Sequence, residues 1–152
     1  MSSLIAITFA ACSNFDSRFA RESHAVRKND AYSGTYEGRW TSSSHPGTGG
    51  KLWCILSRQG ESEYLAQFKA TWHGIFSSTH AVALRTKRAS AKSGEVTFAG
   101  TAAIKMFVGA GTYRCEGRMD GRQMRACYDA TYDRGTFDLS RAGAAERMTN
   151  DE

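Results

Sequence analysis

The sequence predicts an all-β domain, a single antiparallel barrel of eight strands that run up and down in chain order. Two observations support this fold class. Apolar residues in the central region recur with a period of two rather than 3.6, and short turns rich in glycine separate the segments that show this period. The chain has fifteen glycines and one proline in 152 residues, a length that suits one domain with its own core. A two-sheet sandwich is the alternative arrangement of the same strands.

Eight alternating segments follow one another in the predicted folded unit, residues 31–141. They cover residues 35–42, 51–58, 63–72, 75–86, 95–104, 111–119, 122–131 and 135–141. The sharpest turn signal is Asp120-Gly121, because Asp-Gly between two alternating runs favours a two-residue hairpin turn with positive φ. Antiparallel strands with short connections close most simply into a barrel, which leaves no sheet edge exposed.

Alternation also assigns the faces of each strand. In the first strand Tyr36, Gly38 and Trp40 share one parity, and Glu37 and Arg39 share the other. One apolar and one charged face is typical of an antiparallel sheet with a buried and a solvated side. We therefore expect the Tyr36 parity to face inward, with Gly38 leaving room where a side chain would crowd the interior.

The first and last strands resemble the ends of a calycin barrel, the group that contains lipocalins and avidin-like proteins. In that group the first strand opens with Gly-x-aromatic, and an arginine at the end of the last strand packs over the ring. Both GTY (34–36) and GRW (38–40) fit the first motif, and Arg141 at the end of FDLSR fits the second. Antiparallel pairing of strands one and eight would place Arg141 beside Tyr36. We therefore predict that Arg141 lies over the Tyr36 ring.

The chain also resembles small bacterial exported or lipoprotein-like domains that read YxGxW…GKLxC…YxAxF…GxF. This resemblance covers much of the folded unit and implies no particular activity.

The first thirty residues have a different character. LIAITFAAC, residues 4–12, is an apolar run that is too short to span a bilayer but has the length of a signal-peptide core. Its ending resembles the bacterial lipobox, which implies lipid attachment at Cys12. We expect export and anchoring in the cell envelope; a cytoplasmic location is the alternative, because no Lys or Arg precedes the run. Residues 13–30 are predicted to be a flexible tether, and residues 142–152 a disordered tail.

The charge and the cysteines exclude some classes of function. The net charge of +5 is spread along the chain, whereas nucleic-acid binding needs a clustered basic patch. The cysteines lack metal-finger spacing. Cys115 and Cys127 flank the predicted hairpin turn and should point to opposite faces, so we predict that they are not bonded to each other. Cys54 and Cys115 both point inward, either as a bonded pair or as free apolar fillers.

The connections at one end of the predicted barrel are longer and carry aromatic residues, which indicates a mouth. The candidate ligand-binding residues are Trp40, His45, Tyr64, Phe68, Trp72, His73, Phe107 and Tyr132. Barrels bind small molecules in their mouths, so we predict binding of a small apolar or aromatic ligand, with no cofactor. The alternative is a filled barrel that serves as a structural or protein-interaction module, since eight strands leave room mainly for side chains.

An enzyme is not predicted. His45, His73, His80 and Asp133 show neither metal-ligand spacing nor a nucleophile–base pair. His80 lies among the inward-facing residues, and we expect it to be a hydrogen-bonded core histidine.

Overall fold

The eight strands close into one antiparallel barrel in chain order. The computed structural model describes residues 14–25, 30–89, 94–106 and 109–143. The strands are β1 (Gly34–Ser42), β2 (Gly49–Arg58), β3 (Glu63–Trp72), β4 (Phe76–Arg88), β5 (Val96–Met106), β6 (Gly109–Met119), β7 (Gln123–Ala130) and β8 (Arg134–Arg141). The barrel prediction is confirmed, and pairing of β1 with β8 excludes the sandwich.

The core lies inside the barrel and is built from the inward parity of the strands. Tyr36, Cys54, Phe68 and Val82 are completely buried, and burial of a large apolar side chain stabilises the fold by about 1.5–3 kcal/mol. Gly38 serves a different purpose from the one expected. A Cβ there would collide with the backbone of Asp138, so this glycine allows β1 and β8 to approach closely.

Arg141 seals one end of the barrel, here called the closed end. Its guanidinium carbon lies 4.7 Å from the centroid of the Tyr36 ring, and the two residues are paired in the β1–β8 register. The guanidinium also donates hydrogen bonds to the carbonyls of Ala31 and Ser33 at 2.9 Å and to the carbonyl of Gly121. The predicted stacking on Tyr36 is therefore present, and GTY is the element that matches the calycin pattern.

Residues 30–33 complete the closed end. The ring of Tyr32 meets that of Tyr64 edge to face, with centroids 6.2 Å apart, and its hydroxyl donates to the carbonyl of Gly94 at 2.6 Å. The hydroxyl of Tyr64 donates to the carboxylate of Asp30 at 3.0 Å. Burial, followed by this hydrogen bond, raises the pKa of Tyr64 to about 12. The phenol therefore stays neutral and keeps its proton for Asp30.

The hairpin between β6 and β7 turns one residue later than predicted. Met119 pairs with Met124, so the central residues of the turn are Gly121 and Arg122 rather than Asp120 and Gly121. The carboxylate of Asp120 accepts the backbone N–H groups of Arg122 and Gln123 at 2.8 and 2.9 Å. Gly121 adopts a φ of 90°, at the position where a type II′ turn places its glycine.

The corrected register differs from the predicted one by two residues, so every side chain keeps its face. Cys115 lies opposite Tyr128 and is buried, whereas Cys127 is exposed. Both are free, and so is the buried Cys54. The prediction that Cys115 and Cys127 are not bonded is confirmed, and Cys54 and Cys115 are apolar fillers.

A helix, α1 (Phe15–His24), packs on the outer wall within the predicted tether. Phe15 is buried, and the hydroxyl of Ser23 lies 2.8 Å from that of Thr35. The helix contacts β1 and β2, where the outward-facing Thr35 and Ile55 are both buried. The tether prediction was wrong over this helix, because Phe15 and Phe19 are its only large apolar residues and too few to show a period.

Within the described part of the chain, no helix has the length and apolar character needed to cross a membrane. The predicted lipid-attachment residue, Cys12, lies outside the described residues, as does most of the predicted tail.

Candidate functional site

Five of the inward-facing residues near the end of the barrel opposite Arg141, the open end, are small, and Trp40 and Trp72 share this end. Gly50, Ala70, Ser78, Ala102 and Ala130 lie near this end on the inward parity of their strands, and none of them is fully buried. Nearer the closed end the inward residues are large and at most 2% exposed: Leu56, Leu84, Met124 and Leu139. We call the region of the open end that these five residues border the cup.

Five rings form the floor of the cup. His80 stacks on Phe68, with centroids 5.2 Å apart, and lies 4.6 Å from Tyr113. Tyr113 stacks on Tyr128 at 5.9 Å, and Phe137 meets Phe68 at 5.5 Å. Burial raises the pKa values of both tyrosines, so their phenols are neutral. The floor is therefore a continuous layer of uncharged rings at neutral pH, in which only His80 is partly exposed.

Trp40 and Trp72 both lie at the open end. The indole nitrogen of Trp40 donates to the carbonyl of Thr71 at 2.9 Å, and its ring meets that of Tyr128 at 6.4 Å. Trp72 stacks on Phe76 across the β3–β4 turn at 5.9 Å. Trp40 is held by a hydrogen bond and by the floor, whereas the Trp72 pair forms an accessible rim, with Phe76 52% exposed.

The ladder between β4 and β5 is short, although Gly100 of β5 still lies against Val82 and Ala83 of β4. Residues 85–88 of β4 pair with residues 96–99 of β5, and the register goes no further. By contrast, β3 pairs with β4 up to Trp72 and Phe76. Ser78 faces inward by parity and is nevertheless exposed. We call this part of the wall, where residues 76–81 and 101–105 show no strand pairing, the side opening.

His80 carries an unusual polar atom in the floor. Its Nε2 is buried and has no hydrogen-bond partner among the described residues. Burial lowers the pKa of His80 to about 4, so the ring is neutral at neutral pH. The expectation of a hydrogen-bonded core histidine was wrong, because the rings of Phe68 and Tyr113 flank it without pairing with this nitrogen. Such an orphaned polar atom costs about 1–3 kcal/mol.

The structure brings only some of the predicted ligand-binding residues together. Trp40 and Trp72 border the cup, and Phe68 is part of its floor. Tyr64 does not, because β3 begins at the closed end and its first residues lie there. Tyr132 is 47% exposed on the β7–β8 loop.

Three further predictions concern the rim. His73 lies in the β3–β4 turn with a φ of 52° and is exposed, as is His45. Phe107 lies outside the described residues.

Ser42, His45 and Asp133 meet at the rim without the geometry of a catalytic triad. Asp133 accepts hydrogen bonds from Ser42 at 2.6 Å and from Tyr128 at 2.7 Å, and lies 3.5 Å from the His45 ring. In a triad the histidine bridges the serine and the acid, whereas here the acid lies between the other two. The contacts tie the β1–β2 loop to the β7–β8 loop. The described residues contain no group of three or more potential metal ligands.

A surface depression of about 590 Å³ lies beside the open end, on the outer wall. Arg39, Lys51, Trp53 and Thr71 line it, and all four have the outward parity of their strands. Gly50 lines it as well, so the depression adjoins the cup at this residue.

No family model matches the chain, and no curated protein is detectably similar to it. One solved structure, described as the de novo design of a fluorescence-activating beta barrel, aligns with a TM-score of 0.51 and 16% sequence identity. The match covers 73% of this chain and 94% of the designed chain. It supports the barrel fold. The resemblance to exported lipoprotein-like domains stays a prediction from the sequence.

Proposed function

We propose that the protein binds a small, apolar, ring-containing molecule in the cup. The observation that carries the proposal is the contrast in size along the inward parity: small, accessible wall residues stand above a layer of rings. Ligand pockets are typically concave and lined mainly by apolar and aromatic groups, with a few polar atoms. The cup has this composition.

The side opening gives the ligand a second route besides the mouth. Phe76, Ser78 and Ala102 border it, and none of these residues is buried. A flat molecule that enters here meets His80 and Tyr113, whose rings offer large apolar area at little cost in side-chain entropy. The designed barrel, described as fluorescence-activating, has the same overall fold, which is compatible with a small ligand.

Filling the cup tests the proposal without removing any ring. Ala102 faces inward and the adjacent Ala103 faces outward and is exposed, so Ala102→Leu and Ala103→Leu add the same atoms on opposite sides of one strand. With Nile red as a neutral apolar probe, we expect Ala102→Leu to weaken binding roughly ten-fold, about 1.4 kcal/mol. Ala103→Leu should stay within about two-fold of the unmodified protein.

Fluorescence titration gives the dissociation constants, and thermal melts establish that both variants are folded. If the unmodified protein does not enhance Nile red fluorescence, or if both variants bind as it does, the cup is not a ligand site. The protein-interaction alternative would then be favoured.

A further inference from the structure

The unpartnered Nε2 of His80 indicates that a ligand in the cup carries a polar group. It lies in the floor, between Phe68 and Tyr113, and no described residue offers it a hydrogen bond. Buried polar atoms in native proteins almost always have partners, and an exception needs an explanation. Nε2 has almost no accessible surface, so a ligand in the cup supplies the missing partner when the floor rings move to admit its polar group.

The chemistry of a neutral imidazole narrows the choice of that partner. Each ring nitrogen is either a donor or an acceptor, depending on the tautomer. A hydroxyl group both donates and accepts, so it satisfies Nε2 in either tautomer. A carboxylate can only accept and an ammonium group can only donate.

The cup also lacks a buried countercharge. Among the described residues no charged side chain is buried, and the buried polar groups are Thr35, Ser42 and the core tyrosines. An ionised ligand would therefore lose its hydration without gaining an opposite charge, which is costly. This disfavours carboxylate, phosphate and ammonium ligands in the floor.

We propose that the ligand is a flat, neutral aromatic molecule that carries a hydroxyl group, and that this hydroxyl bonds to Nε2 of His80. The proposal rests on the proposed function, since it needs the cup to admit a ring. The ligand ring lies against the aromatic floor, and its hydroxyl points between Phe68 and Tyr113. His80 is then the residue that determines specificity.

Two matched probes test the hydroxyl, namely 2-naphthol and naphthalene, titrated into the full chain by calorimetry at pH 7. A purely apolar site binds naphthalene at least as tightly, because the naphthol hydroxyl loses its hydrogen bonds to water. We expect the unmodified protein to prefer 2-naphthol by roughly ten-fold, the effect of one hydrogen bond to a previously unpaired group. In His80→Phe, which keeps a ring in the floor, the preference should disappear while naphthalene binding changes less than about three-fold.

Nitrogen chemical shifts of the unmodified protein give a readout that needs no variant. On adding 2-naphthol, the Nε2 resonance of His80 should move, whereas those of the exposed His24, His45 and His73 should not. Naphthalene should leave the His80 resonance close to its free position.

The outcomes separate the two proposals. If neither probe binds, the proposed function fails. If both bind equally well, or if His80→Phe keeps the preference for 2-naphthol, the cup is a ligand site but His80 does not select a hydroxyl. An unmoved His80 resonance in the presence of saturating 2-naphthol would overturn the inference as well.

Discussion

The two ends of this barrel are built from the same alternating strands and finished in opposite ways. At the closed end the inward residues are large, and Arg141 binds the Tyr36 ring, the preceding segment and the β6–β7 turn. At the open end five inward residues are small, the β4–β5 pairing ends early, and a histidine nitrogen has no described partner. Alternation therefore determines which residues face inward, whereas the size of these residues determines whether the interior is filled.

Removal of Arg141 should lower the free energy of unfolding more than any other change considered below. Arg141→Ala deletes hydrogen bonds to three carbonyls and the contact with the Tyr36 ring. We expect a loss of about 3 kcal/mol in the free energy of unfolding, measured by urea denaturation. Arg122→Ala is the matched control, since Arg122 is exposed at the same end and should cost less than about 0.5 kcal/mol. Similar losses in the two variants would show that Arg141 does not seal the barrel.

Acid should destabilise the open end through His80. Its pKa is about 4 in the folded protein and 6.5 in the reference state, so the unfolded chain takes up a proton that the folded chain rejects. The free energy of unfolding has its full value above pH 6.5. It should fall by about 2–3 kcal/mol as the pH is lowered to 4.5. Carboxylates with lowered pKa values, such as Asp30 and Asp120, weaken the fold at lower pH.

Urea denaturation of the unmodified protein and of His80→Phe at pH 7.5 and pH 4.5 isolates the histidine. The variant should lose about 2 kcal/mol less than the unmodified protein over this interval. Equal losses in the two proteins would mean that His80 can be protonated inside the fold.

Each end has a turn glycine with positive φ, and substitution of the two glycines reports how tightly each turn is packed. Gly121 at the closed end has a φ of 90°, and a Cβ there would lie 2.6 Å from the carbonyl oxygen of Ala31. Gly74 at the open end has a φ of 73°, with nothing within 4 Å of the same position. We expect Gly121→Ala to cost about 2 kcal/mol and Gly74→Ala about 1 kcal/mol, measured by thermal or urea denaturation. Equal costs would indicate that residues 30–33 do not pack firmly under the barrel.

Much of the fold follows from local sequence pattern, and much of the candidate site does not. Alternation predicts the eight strands and the inward parity of Phe68 and His80, and antiparallel order predicts that Arg141 lies over Tyr36. The turn at Asp120 was displaced because a side-chain carboxylate, rather than the Asp-Gly pair alone, selects the central residues.

The side opening could not be predicted from the amino-acid sequence. β4 has the same alternation along its whole length, and the end of its pairing with β5 depends on tertiary geometry. Ser78 and Ala102 therefore looked like ordinary inward residues. Tyr64 was included because rings on the inward parity look alike in sequence, whichever end of the barrel they occupy.

The closure of the barrel also has a consequence for synthesis. Tyr36 and Arg141 are separated by 105 positions, and β8 is the last of the eight barrel strands to leave the ribosome. Until it emerges, β1 and β7 each present an unpaired edge, the kind of surface that recruits other strands and leads to aggregation. Contacts between distant segments also form slowly, since loop-closure entropy opposes them. A chain that ends before Arg141 would be held in this open-edged state, because the barrel closes only when β8 pairs with β1.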